Sequence, residues 1–287
     1  MTSSDVSFRR FGRSDIPFAH ELKNIAGWNQ TQADWEGYCE FEPEGCFVAE
    51  TCGRPVGTAT TIRYADGVGW IGMVLVHPDF RRGGIGTLLL RHAIDYLRRM
   101  GTPSIKLDAT PMGRKVYVPL GFVDEYEVAR YEGVAPPTTG LAAGNVSPLT
   151  SAQLAGVAAF DTPVFGADRT RVLAALSRRN PEYCFVATDA GRVSGYLIAR
   201  EGHQAIQLGP WVAQDSAVAE RLLLALFARV GGRRILVDVP GPNRVGREQI
   251  EQYGFAVQRG FTRMFLGSNP RPGFPEKFFG TGGAEKG

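Results

Sequence analysis

The chain is short of the residues from which metal and disulfide chemistry is built: its 287 residues include only four cysteines and four histidines. Cys39, Cys46, Cys52 and Cys184 form no CxxC pair and adjoin no histidine cluster, so neither a disulfide framework nor a zinc site is indicated, and no metal is expected. They read as buried free thiols, with a nucleophilic cysteine paired to His20, His77 or His203 as the minor alternative. Charge of one sign is equally scarce. The 32 basic and 29 acidic residues leave a net charge of +3, spread along the chain, which argues against a nucleic-acid partner. No run is long and apolar enough to cross a bilayer, and Met1 to Phe11 has no apolar secretory core. A cytoplasmic protein with no membrane partner is expected.

What is present is enough apolar material, 44% of the residues, for two cores, and a repeat to go with them. CFVAETCGRPVG (46–57) matches CFVATDAGRVSG (184–195), and each reads as a β-hairpin turning near Gly53-Arg54 or Gly191-Arg192. The match continues. Trp70 to Val76 aligns loosely with Ala205 to Ala213, a helical stretch follows each, Ile105 to Ala109 parallels Ile235 to Val239, and each copy reaches a Gly-Phe pair, Gly121-Phe122 or Gly254-Phe255. The predicted division is a first domain over 1–132, a linker rich in Pro, Gly, Ala and Thr over 133–147, a second domain over 148–268, and a flexible tail over 269–287 that Phe274, Phe278 and Phe279 anchor in part.

The near-continuous apolar run Trp70 to Val76 fits a strand buried on both faces. After His77-Pro78-Asp79-Phe80 comes Arg81-Arg82-Gly83-Gly84-Ile85-Gly86, leading into a helix whose apolar side is Ile85, Leu88, Leu89, Ala93, Leu97 and Met100 and which stops at Gly101. Strand, glycine-rich loop and helix start in that order make an anion site, because free N–H groups and the helix dipole converge where small residues allow close approach. A tight turn with solvated arginines accounts for the same residues. GxxxxGK[ST] is absent and Gly84-Ile85-Gly86 lacks the third glycine of the dinucleotide fingerprint, so nucleotide hydrolysis and NAD binding lose ground.

The segment resembles motif A of the GNAT acetyltransferases, [RQ]xxGx[GA], here Arg81, Gly84 and Gly86, preceded by Val76-His77-Pro78. Tyr117 to Phe122 resembles the YxxxGF that closes many such domains. The resemblance covers nearly all of 5–132. The second copy departs from it: Gln214-Asp215-Ser216-Ala217-Val218 replaces the loop, and Tyr253 directly precedes Gly254. The layout resembles tandem GNAT proteins with a degenerate C-terminal domain, and implies an α+β fold of two GNAT-like domains, each a mixed, largely antiparallel sheet flanked by helices, packed as an intramolecular pseudo-dimer. Whether two chains associate into a homodimer stays open.

The resemblance implies acetyl-CoA as cosubstrate and direct attack by an amine in a ternary complex. Backbone groups of Val74, Leu75 and Val76 would align the thioester; Arg81, Arg82, Gly83, Gly84, Ile85, Gly86 and Thr87 would hold the pyrophosphate. Tyr117 occupies the position of the general acid; packing within its helix is the alternative. Asp108, Glu21, Glu36 and Glu125 are candidate bases, with His77 a weaker one. A small-molecule amine acceptor would be bordered by Trp28, Asn29, Gln30 and Trp35, unless the tryptophans only pack the helices. Asp161, Phe165, Asp168, Arg169, Asp238 and Asn243 would complete the pocket from the second copy. An acyl-CoA sensor, a protein N-terminus or lysine acetyltransferase, and a protein-binding scaffold are the rival readings.

Overall fold

The computed structural model describes residues 6–138 and 144–287. The first copy runs β1 (Val6–Arg10), α1 (Ile16–Ile25), α2 (Gln32–Phe41), β2 (Phe47–Thr51), β3 (Arg54–Arg63), β4 (Val68–Val76), α3 (Ile85–Arg99), β5 (Ser104–Ala109), α4 (Pro111–Tyr117) and β6 (Val123–Val134). The second runs β7 (Val146–Pro148), α5 (Leu154–Phe165), α6 (Thr170–Ser177), β8 (Cys184–Asp189), β9 (Arg192–Arg200), β10 (Ile206–Ala213), α7 (Ser216–Val230), β11 (Arg234–Pro240), α8 (Arg244–Gln252) and β12 (Ala256–Gly267), with β13 (Phe278–Gly280) after it. The fold is α+β.

Local chemistry explains the repeated elements. In both hairpins the two central turn residues are left-handed, Cys52 and Gly53 in one, Ala190 and Gly191 in the other, the combination whose twist matches paired strands. Helix α3 buries Ile85, Leu89, Ala93 and Leu97, one stripe at helical spacing, and Gly101 takes the left-handed position after it. Among the described residues pairing is antiparallel except for β4 with β5 and β10 with β11.

The described residues of the two copies share one 13-stranded sheet, in the order β1-β2-β3-β4-β5-β12-β6-β11-β10-β9-β8-β7, with β13 beside β10. The last strand of each copy has crossed to the other. Strand β12 lies against β5 with Arg263 opposite Asp108, and β6 lies against β11 with Arg130 opposite Asp238. Each crossing is held by a buried bidentate ion pair, Arg263 to Asp108 at 2.8 and 2.9 Å and Arg130 to Asp238 at 2.6 and 2.7 Å. Helix α3 and helix α7 each cover an apolar core on one face, while a third core joins both copies on the other face, under α1, α2, α5 and α6.

Three boundaries differ from the sequence reading. A division at 132 follows the chain but not the packing, since β6 pairs within the second copy. The linker is shorter than 133–147: Gly133 and Val134 belong to β6, Ala135 is bonded to Arg233, and β7 begins at Val146; its centre, 139–143, lies outside the described residues. The tail is not loose over 278–287, although Phe274, expected to anchor it, is 48% exposed. Phe278, Phe279, Thr281, Glu285 and Lys286 are all buried, with exposures of 2%, 3%, 0%, 4% and 1%. Glycines on both sides serve the close approach: Gly280 of the tail packs on Val237 and Trp211, and Gly209 of β10, at φ 132, leaves room for the Thr281 carbonyl that a side chain would fill.

Candidate active site

Strands β4 and β5 pair only over Val68–Trp70 and 104–106, then separate. The separation begins at a bulge. Thr58 faces Leu75 whereas Thr60 faces Gly72, so β4 holds one extra residue, and Met73 takes φ 49. The Thr58 hydroxyl donates to the Met73 carbonyl at 2.9 Å and fixes the kink. Beyond it the β5-facing backbone groups of β4 border an open wedge, and Val74, Leu75 and Val76 form its edge.

At the end of that edge the chain turns through the glycine loop. Arg82 and Gly84 are left-handed, at φ 66 and 80, which gathers successive N–H groups toward one point. The Arg81 guanidinium donates to the Val76 carbonyl at 2.9 Å, tying the loop to the strand. Leu88 makes the first bond of α3, to Gly84, so the N–H groups of Ile85, Gly86 and Thr87 precede the helical ladder. A Cβ at Gly84 would touch nothing within 4 Å, and one at Gly86 only Val76, at 3.7 Å: the approach is open, and the residues present fit a pyrophosphate.

Tyr117 closes α4, which follows β5 directly and is capped by Thr110, whose hydroxyl accepts from the Gly113 N–H at 3.1 Å. With Val74 and Val76 it lines the rim of the α3 core, its ring 6.0 Å from Phe122. Burial pushes its phenol up to about 12, so it is a protonated donor throughout the neutral range. Val74 to Val76 thus run directly into the loop 81–87, and Tyr117 packs, as Val74 and Val76 do, against the core under α3.

The other candidates are held in contacts of their own. Trp35 is fully buried, stacked on Phe11 and edge-on to Tyr38, and Trp28 packs against the same core. Asn29 and Gln30 are buried too. Asn29 donates to Ala205 and accepts from Gln204 and Ala205 at 2.9 to 3.1 Å, stitching the α1–α2 loop to the second copy. Among the proposed bases, both oxygens of Asp108 are taken by Arg263, and Glu125 is paired with Lys106 at 3.0 Å; Glu36 accepts from Gln32, and Glu21 is exposed. The His77 Nδ1 accepts from the Asp79 N–H at 3.4 Å. In the second copy, Asp161 holds Arg169, which lies over Phe165, and accepts from Tyr196; Asp168 and Asn243 bond to the first turns of α6 and α8, and Asp238 holds Arg130. These are structural ties. Accordingly Arg263→Leu, which leaves Asp108 buried without its partner, is expected to cost about 3–5 kcal/mol of stability, read as a lower urea midpoint.

The Met73 bulge and the burial of the tail beyond its anchoring phenylalanines escape the sequence reading. The Met73 bulge has no residue signature, since methionine seldom adopts positive φ. The tail has one faint signal, the pair Phe278-Phe279 within a glycine-rich stretch. In the second copy, β10 and β11 pair over 206–208 and 235–237 and then separate as β4 and β5 do, but here β13 lies in the wedge. It pairs with Trp211 and Val212, and the Thr281 N–H donates to the Asp238 carbonyl at 2.8 Å.

Two family models match the chain, the acetyltransferase (GNAT) family over residues 17–122 and an acetyltransferase (GNAT) domain over 157–280. A holothin acyltransferase of Pseudoalteromonas sp. is 26% identical over 245 residues, 85% of this chain and 82% of that protein. A Pyrococcus horikoshii protein of known structure superposes with a TM-score of 0.84 at 26% identity, covering 100% of this chain and 98% of that one. A GCN5-related N-acetyltransferase from Sphaerobacter thermophilus shares the fold, with a TM-score of 0.67 at 15% identity over 95% and 98% of the two chains. With an open wedge, a glycine loop at the start of α3 and two matching halves, the chain belongs to the GNAT superfamily of acyltransferases and carries two acetyltransferase domains in tandem.

Proposed function

We propose that the first copy transfers an acetyl group from acetyl-CoA to the primary amine of a small metabolite or amino-acid-like acceptor, and that the second copy holds no coenzyme A. The observation that carries this reading is the contrast between the wedges: the first stands open beside an anion-binding loop, whereas β13 lies in the second, which has no such loop. The loop N–H groups of 82–87, with Arg82, would bind the pyrophosphate. The edge of β4 would align the pantetheine arm, and the N–H at Val74, just past the bulge, would donate to the thioester carbonyl as negative charge develops there. As the amine nitrogen bonds to the carbonyl carbon and the C–S bond breaks, Tyr117 gives its proton to the leaving sulfur. The proton released by the amine passes to water, since Asp108 and Glu125 are tied in ion pairs. The Pseudoalteromonas relative is an acyltransferase named for holothin; an acceptor of small size suits this chain because helices and the tail cover the acceptor face.

The test is an isothermal titration with acetyl-CoA, followed by a thiol-release screen of primary amines. One equivalent bound and amine-dependent thiol release are expected. Two equivalents would refute the inactive second copy, and no binding would refute the reading as a whole.

A further inference from the structure

Strand β4 presents alternate residues to opposite faces of the sheet. Ile71 lies in the core covered by α3, whereas Trp70, Met73 and Leu75 lie in the core shared with α1 and α2. Because α3 seals its own face, an acceptor reaches the wedge from the α1/α2 face. The C-terminal segment lies on that face. After β13 it crosses from the second copy to the first: the Trp70 indole N–H donates to the Ala284 carbonyl at 3.0 Å, the Tyr64 hydroxyl to the Lys286 carbonyl at 2.7 Å, and a Cβ on Gly72 would stand 3.0 Å from the Cβ and carbonyl oxygen of Glu285. The contacts run along β4 up to Gly72, one residue short of the Met73 bulge.

The segment is also held rigidly. The Glu285 carboxylate accepts from Arg200 at 3.2 Å and from Lys286 at 2.6 Å, and Lys286 in turn donates to Asp34 at 3.0 Å and Tyr38 at 3.1 Å. Asp34 also takes Arg179 at 2.7 Å. These charges come from α2, β9, the α6–β8 connection and the tail, so movement of the segment would leave several of them buried and unpaired, which is costly.

We propose that residues 284–286 form the floor of the first copy's acceptor site and limit its acceptor to a primary amine with a short substituent. This rests on the acetyl-CoA reading above. Glycine at 72 lets the segment approach β4 closely enough to act as a stop directly below the reacting carbonyl, so depth rather than charge sets the selection. Glu285 and Lys286 are positioning residues here, since their side chains neutralise each other and anchor the backbone that forms the stop.

The test uses coenzyme A S-acetamides of n-alkylamines from methyl to octyl, whose alkyl chain extends from the acetyl position into the acceptor site. With the wild-type chain, affinity is expected to rise by about fourfold per methylene for the first few carbons and then to fall. In a variant lacking 282–287 it is expected to go on rising over at least two further carbons, with acetyl-CoA affinity unchanged. The same length optimum in both chains would overturn the proposal. Should the shortened chain fail to fold, an S-acetamide with a short diazirine-tipped chain is photolysed on the wild type: label on the tryptic peptide 278–286 is expected, and label confined to other peptides would overturn it. Failure of acetyl-CoA itself to bind the wild type is a separate outcome that removes the underlying reading.

Discussion

Tyr117→Phe is expected to lower kcat at saturating acetyl-CoA and amine by about 10²- to 10³-fold, the usual worth of a positioned general acid, while acetyl-CoA affinity stays within about twofold. The two effects separate because the cosubstrate is held by backbone groups of β4 and the glycine loop, whereas the phenol is needed only when the sulfur leaves. The ring stays in place. Gly113 lies against it, so closely that an added Cβ would come within 3.1 Å, and Phe preserves that packing, so Tm is expected to move by less than about 2 °C. Burial holds the phenol at about 12, so the proton is present at every lower pH and is lost only as pH rises through that value. The wild-type kcat profile therefore has no alkaline fall from Tyr117 between about pH 6 and 9, and the variant profile keeps its shape at a lower height. An unchanged kcat would make Tyr117 a packing partner of Phe122 and nothing more.

The repeat, the hairpins, the β4–loop–α3 unit and the α4 tyrosine are legible in the sequence because each is fixed by neighbours within a few residues: turn pairs such as Ala190-Gly191, the apolar stripe of α3, the glycines after a buried strand. The exchange of β6 and β12 is not. Arg130 and Asp238 are 108 positions apart, and nothing local distinguishes a strand that returns to its own sheet from one that crosses to the other. The same holds for Asn29. A polar residue in a loop reads equally well as a ligand contact or as a partner for a distant backbone, and here its amide serves residues 175 and 176 positions away.

The tail misleads for a different reason. Composition reports average polarity, and Gly-Pro-rich residues with Glu285 and Lys286 average as solvent-exposed. Buried polar groups are tolerated when partners meet them, and this segment brings its own acid and base to Arg200, Asp34 and Tyr38 while β10 and β11 satisfy its backbone. The burial is set by those partners. One consequence is the inequality of the halves: the same bifurcation of parallel strands occurs in both, and the one that lacks a glycine loop is the one that β13 enters.

Gly86→Glu is expected to weaken acetyl-CoA binding by at least about 100-fold, roughly 2.7 kcal/mol, without destabilising the fold. The site has room for the side chain, since an added Cβ meets only Val76 Cγ2 at 3.7 Å, and Gly86 lies in the first turn of α3 with an ordinary negative φ. Replacing glycine within a helix gains about 0.5–1 kcal/mol, and a carboxylate near the positive end of the dipole adds about 0.3–1 kcal/mol, so Tm is expected to hold or rise. That carboxylate competes for the N–H groups of Ile85 to Thr87 and repels the pyrophosphate they would bind. Gly84→Ala is the informative contrast: its left-handed φ of 80 makes any side chain strained by about 1–2 kcal/mol, so lost binding there would be confounded with lost stability. If Gly86→Glu raised Tm and still bound acetyl-CoA at wild-type affinity, the loop would be a tight turn between strand and helix, and the pyrophosphate would have to be held elsewhere.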